Sequence, residues 1–225
     1  MSEMSYPGPE HAIFLWIPKT AGTSVFAALE SGARFTKLKR IREVETLFNH
    51  SGRVTFGHIN CRMLVDKGVV DASYFDHAFK FAFVRDPYAR AVSLYQYLKK
   101  EKRLPALTTF LQFCQILENG RVEPIGLYNS SGLSQCNPQV RWLEGLALDF
   151  LGRYEELDSD FNYLAGKFDL AVSQVPHLNS STTTDAAALY CPESKRIVEA
   201  FYAEDYAAFD YPLRALEDIT TALGA

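Results

Sequence analysis

Ala12-Ile13-Phe14-Leu15-Trp16-Ile17, followed by Pro18-Lys19-Thr20-Ala21-Gly22-Thr23-Ser24, joins a continuous apolar run to a loop of small and polar residues. A short apolar run without polar alternation predicts a strand buried on both faces, as in parallel sheets. Behind it, Thr23 to Ser31 puts Val25, Phe26 and Leu29 on a plausible inner helical face, with Gly22 at the tight turn before the helix and Gly32 ending it. A loop of small residues opening straight into a helix binds anions, because the first amide groups and the positive end of the helix dipole face the ligand. Lys19, Thr23 and Ser24 add one charge and two hydroxyls. A plain turn with an exposed lysine and an N-cap threonine fits the same residues, and the octapeptide from Ile17 to Ser24 leaves both readings open. It is not a Walker A loop, which needs its lysine after the second glycine; here Lys19 precedes Gly22.

Further strands are expected at Arg34 to Lys39, Val54 to Phe56, Phe79 to Val84 and Leu148 to Leu151. Asp86 and Pro87 are a natural N-cap and first helical residue, so a helix is predicted from Pro87 to about Lys100, with Ala91, Leu94, Tyr95 and Leu98 at helical spacing. Other helices are expected at Arg42 to Phe48, Leu107 to Leu117, Leu157 to Lys167, Glu193 to Tyr202 and Leu213 to Leu223, with long loops at Glu118 to Pro138 and Asn179 to Thr184. Strands alternating with helices predict an α/β fold around a mostly parallel sheet, in one domain that follows an N-terminal tail of residues 1–11.

The chain has 225 residues, 48% hydrophobic and 22% charged, enough for a sizeable core and unlike a disordered segment. Its formal net charge of -4 argues against a nucleic-acid partner, which usually needs a strongly basic surface, so any anion site must be local. Cys61, Cys114, Cys136 and Cys191 show no metal-ligand spacing, and no metal is expected. The apolar run near the N-terminus is far shorter than a membrane span and lacks a basic start, which predicts a soluble, cytoplasmic protein with reduced cysteines.

PKTAGTS after the first strand and FVRDPYARAVS across a later strand and helix together resemble the sulfotransferases that use 3′-phosphoadenosine 5′-phosphosulfate (PAPS). The resemblance implies a P-loop-like three-layer fold, its central sheet flanked by helices. It also implies that Lys19, Thr20, Ala21, Gly22, Thr23 and Ser24 hold the 5′-phosphosulfate and that Arg85 and Ser93 hold the 3′-phosphate. LGRYEELDSDF resembles the family's later strand and helix and puts Tyr154 near the adenine. The Gly57-His58 pair is similar to the carbohydrate branch, including heparan and chondroitin sulfotransferases, and implies a hydroxyl acceptor on a saccharide or small molecule. Those relatives usually carry a membrane anchor; this sequence starts almost at its first strand, which points to a free-standing form and loosens the inference to a long glycosaminoglycan.

His58, after a predicted strand end, is the expected general base, with a hydrogen-bonded turn histidine as the plainer alternative. Lys19 is the expected stabiliser of the leaving oxygen. Should His58 fail, Asp66 or Glu118 is the next base. Arg90 is assigned a structural role, His11 a solvated place in the tail, and Trp142, Tyr95, Tyr97 and Phe113 places in the core or pocket wall. Two other functions stay open: a P-loop nucleotide kinase or phosphotransferase needing magnesium and ATP, and an inactive nucleotide-binding protein.

Overall fold

The computed structural model describes residues 8–120, 133–171, 175 and 189–219. In chain order these form β1 (Ala12–Leu15), α1 (Gly22–Ala33), β2 (Thr36–Leu38), α2 (Ile41–Leu47), β3 (Arg53–Phe56), α3 (Cys61–Asp66), α4 (Ala72–His77), β4 (Phe79–Val84), α5 (Pro87–Lys100), α6 (Phe110–Glu118), α7 (Val140–Leu143), β5 (Phe150–Arg153), α8 (Leu157–Phe168), α9 (Pro192–Phe201) and α10 (Ala203–Phe209). They group into two compact units, Met1–Val84 with Trp142–Leu178, and Arg85–Arg141 with Asn179–Ala225.

The first unit is built on a five-stranded sheet in the order β2-β3-β1-β4-β5, every pairing parallel. Strand β1 is central because its residues are apolar on both faces and fully enclosed, as the unbroken hydrophobic run requires. Ala12, Phe14 and Trp16 face a core shared with Val25, Phe26 and Leu29 of α1, Phe81 and Phe83 of β4, and Phe161, Leu164 and Phe168 of α8. The opposite face carries Phe56, whose ring stacks on Phe75 of α4. Lys80 points the same way and donates its ammonium hydrogens to the carbonyls of Phe75 and Ala78, each at 2.8 Å, which is how a charged residue is tolerated inside β4. The result is a three-layer α/β fold around a parallel sheet.

Gly32 lies inside α1 and does not end it; Arg34, in left-handed backbone conformation, is the C-cap. A Cβ at Gly32 would meet Leu170 Cδ2 at 2.7 Å, so the glycine serves close packing. Strand β5 starts two residues later than its hydrophobicity suggests, because Asp149 pairs with β4 first: its amide donates to the Lys80 carbonyl at 2.8 Å and its carboxylate accepts from the Lys80 amide at 2.7 Å. His11 is not solvated. Its Nδ1 accepts from the Gly52 amide at 3.0 Å and its ring lies 5.6 Å from that of Tyr74.

The second unit is helical. Helix α5 begins as expected, with Asp86 accepting from the amides of Tyr88 and Ala89 and Pro87 first in the helix, and it buries Ala91, Leu94, Tyr95 and Leu98. Helix α6 starts at Phe110, later than its apolar pattern suggests, because Thr109 and Gln112 form a reciprocal capping box that leaves Leu107 92% exposed. Buried tyrosines dominate this core, and three of their hydroxyls donate to backbone carbonyls: Tyr95 to Thr108, Tyr190 to Tyr88 and Tyr202 to Cys136. The loop segments 121–132 and Asn179 to Thr184 fall outside the described residues.

Phe81 stacks on Phe14 at 5.2 Å between ring centroids and meets Phe35 and Phe168 edge-on or tilted. Phe81→Ala should therefore lower the unfolding free energy by about 3–5 kcal/mol, the range for a buried aromatic, while Leu107→Ala should stay within about 0.5 kcal/mol. Urea unfolding of both variants checks this, and a similar loss for the two would contradict the placement of the core.

Candidate functional site

Residues 16–21 connect the C-terminal end of β1 to α1, which Gly22 to Ser24 open. Two residues of this loop, Lys19 at φ 70° and Ala21 at φ 64°, adopt the left-handed conformation, and neither is the glycine. Such residues cost about 1–3 kcal/mol each and persist where the surroundings enforce them, commonly at ligand-binding loops. Here Thr20, almost fully buried, donates its hydroxyl to the Ile17 carbonyl at 3.0 Å and ties the loop down from inside. Thr20 thus braces the loop.

Helix α1 has no side-chain cap: its N-cap is Ala21, whose carbonyl accepts from the amides of Ser24 and Val25. Thr23 is exposed in the first turn and is not the N-cap the plain-turn reading needs. The amides of Gly22 and Thr23 have no backbone acceptor among the described residues. An uncapped helix start behind left-handed loop residues is a concave set of donors suited to an anion.

Gly22 earns its place through Trp16. A Cβ there would lie 1.9 Å from Trp16 Nε1, so the helix start can pass the indole only as glycine. Trp16 also stacks near Phe14 and Phe26 and meets the His58 ring edge-on at 5.3 Å. The sequence reading overlooked it; an aromatic residue at the end of a buried strand run, just before the loop, was the available signal.

His58 follows β3 by two residues and is itself left-handed, at φ 59°. Its Nδ1 lies 3.2 Å from the Trp16 carbonyl. A carbonyl only accepts, so Nδ1 carries the hydrogen of the neutral ring and Nε2 keeps a lone pair. Burial pushes the His58 pKa down to about 4; the Trp16 hydrogen bond opposes this, and the charges of Lys37 and Lys19 add to it. Lys19 and Lys37 are therefore both within electrostatic reach of the imidazole. Near it Leu15, Trp16, Ile59, Cys61 and Trp142 close around a crevice with no room for a water molecule, and the Trp142 indole N–H is buried without an acceptor among the described residues.

Tyr154 opens a 3-10 turn immediately after β5 and is half-buried. Loop residues 19–24, His58 and Tyr154 thus follow the C-terminal ends of β1, β3 and β5, the edge where ligands bind in open parallel sheets. Arg85 is the residue after β4 and belongs to the second unit. There Gln139 clamps its backbone from both sides, accepting from its amide and donating to its carbonyl, each at 2.9 Å. Asp205 holds Gln139 in turn. Ser93 lies on the partly exposed face of α5, four residues beyond Ala89. Arg90 is fully enclosed, donates to the Gln135 carbonyl at 2.9 Å and lies over the Tyr202 ring, a structural placement. Both reserve bases are engaged on the surface: Asp66 pairs with Arg62 and Glu118 with Arg196.

The folded chain keeps His58 neutral down to about pH 4, whereas an unfolded histidine protonates near 6.5. The unfolded state binds the extra proton between these values, so this stabilising contribution is complete above pH 6.5 and is lost as pH falls towards 4. The loss amounts to about 3 kcal/mol at ~1.4 kcal/mol per pH unit. His58→Asn tolerates the left-handed backbone and retains a donor for Trp16. Its unfolding free energy should fall less steeply between pH 6.5 and 4, and equal slopes for the two proteins would show that His58 is not held neutral.

Among curated proteins, none matches the chain by sequence. Two of the solved structures that match it illustrate the shared fold. One is a sulfotransferase from Alicyclobacillus acidocaldarius at 16% identity and a TM-score of 0.51, covering 92% of this chain and 98% of that one. The other is a mouse sulfotransferase complexed with PAP, at 17% identity and a TM-score of 0.57, covering 97% of this chain and 90% of its own. A model of the sulfotransferase family matches residues 6–212, nearly the whole sequence. With the phosphate-type loop, the parallel sheet and this match in agreement, the chain belongs to the sulfotransferase family.

Proposed function

We propose that this protein transfers the sulfuryl group of PAPS to an acceptor hydroxyl on a saccharide or small molecule, leaving adenosine 3′,5′-bisphosphate. The observation that carries the reading is the uncapped start of α1 behind left-handed Lys19 and Ala21, beside a neutral histidine. These residues fit the 5′-phosphosulfate: free amides, a lysine, a helix dipole, and a glycine where any side chain would strike Trp16. The mouse relative, solved with PAP, supports the same donor class. The 3′-phosphate is assigned to Arg85 and Ser93, and the adenine to Tyr154.

His58 Nε2 takes the acceptor proton as the acceptor oxygen bonds sulfur. Lys19 meets the negative charge that appears on the 5′-phosphate oxygen as its bond to sulfur breaks. The left-handed loop and the Thr20 brace hold these donors in place beforehand, so little reorganisation is needed at the moment of transfer. A sulfuryl group carries less charge than a phosphoryl group, and a lysine, loop amides and a helix dipole are the groups this loop offers to stabilise it.

Incubation with sulfur-labelled PAPS and a panel of saccharide and phenolic hydroxyl acceptors tests the reaction, with ATP and magnesium as the competing arm. Label transfer is expected from PAPS; phosphoryl transfer from ATP would replace this reading with the kinase one. His58→Asn should retain product affinity within about threefold while kcat falls about 10²- to 10⁴-fold. The bisphosphate product should raise the melting temperature more than AMP does, since AMP lacks the 3′-phosphate, and Arg85→Ala should weaken product binding by about 1.5–3 kcal/mol. Equal shifts from AMP and the bisphosphate would remove Arg85 and Ser93 from the donor site.

A further inference from the structure

Strand β2 supplies a lysine that the reaction above leaves unused. Lys37 pairs with Thr55 of β3, yet its ammonium lies 3.5 Å from the centroid of the Trp16 ring, on the far side of β3, and 5.2 Å from that of Phe26. Its stem crosses at Gly57, where an added Cβ would sit 3.2 Å from Lys37 Cε. Gly57 is therefore the gap through which an edge-strand lysine reaches the end of β1, a physical reason for glycine immediately before His58.

A lysine packed along an apolar surface usually finds a carboxylate or water for its head. Here Glu30 of α1 acts on Lys37 only at a distance, and no ion pair to it forms among the described residues. Burial and the neighbouring Lys39 push its pKa down to about 8, against the opposing effect of Glu30. The other charges in this corner are Lys19 and the titratable His58, whose own proton affinity is lowered by both Lys37 and Lys19. Two lysines and an imidazole thus share one small region around Trp16 without a paired carboxylate to neutralise Lys37. That arrangement disfavours its own charge and is relieved by a bound anion.

We propose that Lys37 is a second cation of the transfer centre: braced on Trp16 through the Gly57 gap, its ammonium contacts the sulfonate oxygens of the donor while Lys19 serves the leaving side. This rests on the sulfuryl-transfer reading. No bond to Lys37 forms or breaks. The acceptor oxygen bonds sulfur, the sulfur to 5′-phosphate bond breaks with its electron pair leaving on the bisphosphate, and the acceptor proton goes to His58. Lys37 stays protonated and offsets the sulfonate charge.

The sulfonate is absent from the product, so the variant should separate donor from product. Lys37→Met should lower kcat/KM for PAPS about 10- to 100-fold, the range for a charged hydrogen bond, with bisphosphate affinity kept within about threefold. In the wild type, kcat/KM should fall as pH rises through about 8, where free Lys37 loses its proton. Lys37→Arg keeps the charge and should remove that limb. A second measurement does not depend on turnover. In a Trp142→Phe protein, where Trp16 is the remaining tryptophan, emission should titrate near pH 8, the midpoint should rise when PAPS is added, and Lys37→Met should abolish it. A Lys37→Met enzyme within twofold of wild type, or a midpoint unmoved by PAPS, overturns the proposal alone. A wild type that binds neither PAPS nor its product overturns the donor reading as well.

Discussion

The start of α1, His58 and Lys37 are arranged around the Trp16 indole and its carbonyl. The indole fills the space over Gly22 and so decides that α1 begins with a glycine lacking a side-chain cap. The carbonyl takes the Nδ1 hydrogen of His58 and thereby fixes which ring nitrogen is basic. One face of the buried ring carries Lys37. One side chain at the end of the central strand gathers an uncapped helix start, an imidazole and an ammonium, and its stacking on Phe14 and Phe26 ties all three to the core.

Much of the fold was legible because the central strands are unusually pure. Residues 12–17 and 79–84 have only Lys80 as a polar interruption, and that lysine is accommodated by two carbonyls at the end of α4. The helix after Asp86-Pro87 announced itself through capping chemistry. Short elements were harder to see. Helices α3 and α4 are six residues each, too short for a 3.6-residue period to emerge, and their starts depend on Asn60 and Asp71 accepting from Met63 and Ser73. Gly32 was misleading for a physical reason: a glycine needed for contact with Leu170 reads, in sequence, like a helix stop.

The site was legible where chain order carries it and opaque where side chains cross strands. Lys19, Gly22 and His58 could be proposed because each lies in the stretch after a buried strand, where parallel sheets present their ligands. Lys37 could not, since its ammonium lies two strands away from its own backbone and depends on Gly57 being bare. The role of Thr20 was likewise invisible; whether a loop hydroxyl faces a ligand or braces the loop is decided by burial. Arg85 was legible as a strand-end cation, but the Gln139 and Asp205 clamp that steadies its backbone comes from residues 54 and more positions later.

A histidine with a pKa near 4 is a weak base, and this bears on the kind of transition state the site can serve. Full removal of a hydroxyl proton before bond formation would call for a stronger base. A loose transition state, with much of the bond to the leaving oxygen already broken, asks less: the acceptor proton is shed late, and the base need only be unprotonated and aligned. Burial keeps His58 unprotonated well below neutral pH, and the Trp16 carbonyl keeps its lone pair on Nε2. The two lysines that further lower its proton affinity would be partly neutralised by a bound phosphosulfate, which returns some basicity only when donor is present. Burial remains the largest cause, so the imidazole stays weak even then. On the proposed reaction, such a weak base suits a centre whose main contribution is charge stabilisation by loop amides and lysines, with His58 taking the proton of an oxygen already bonding to sulfur.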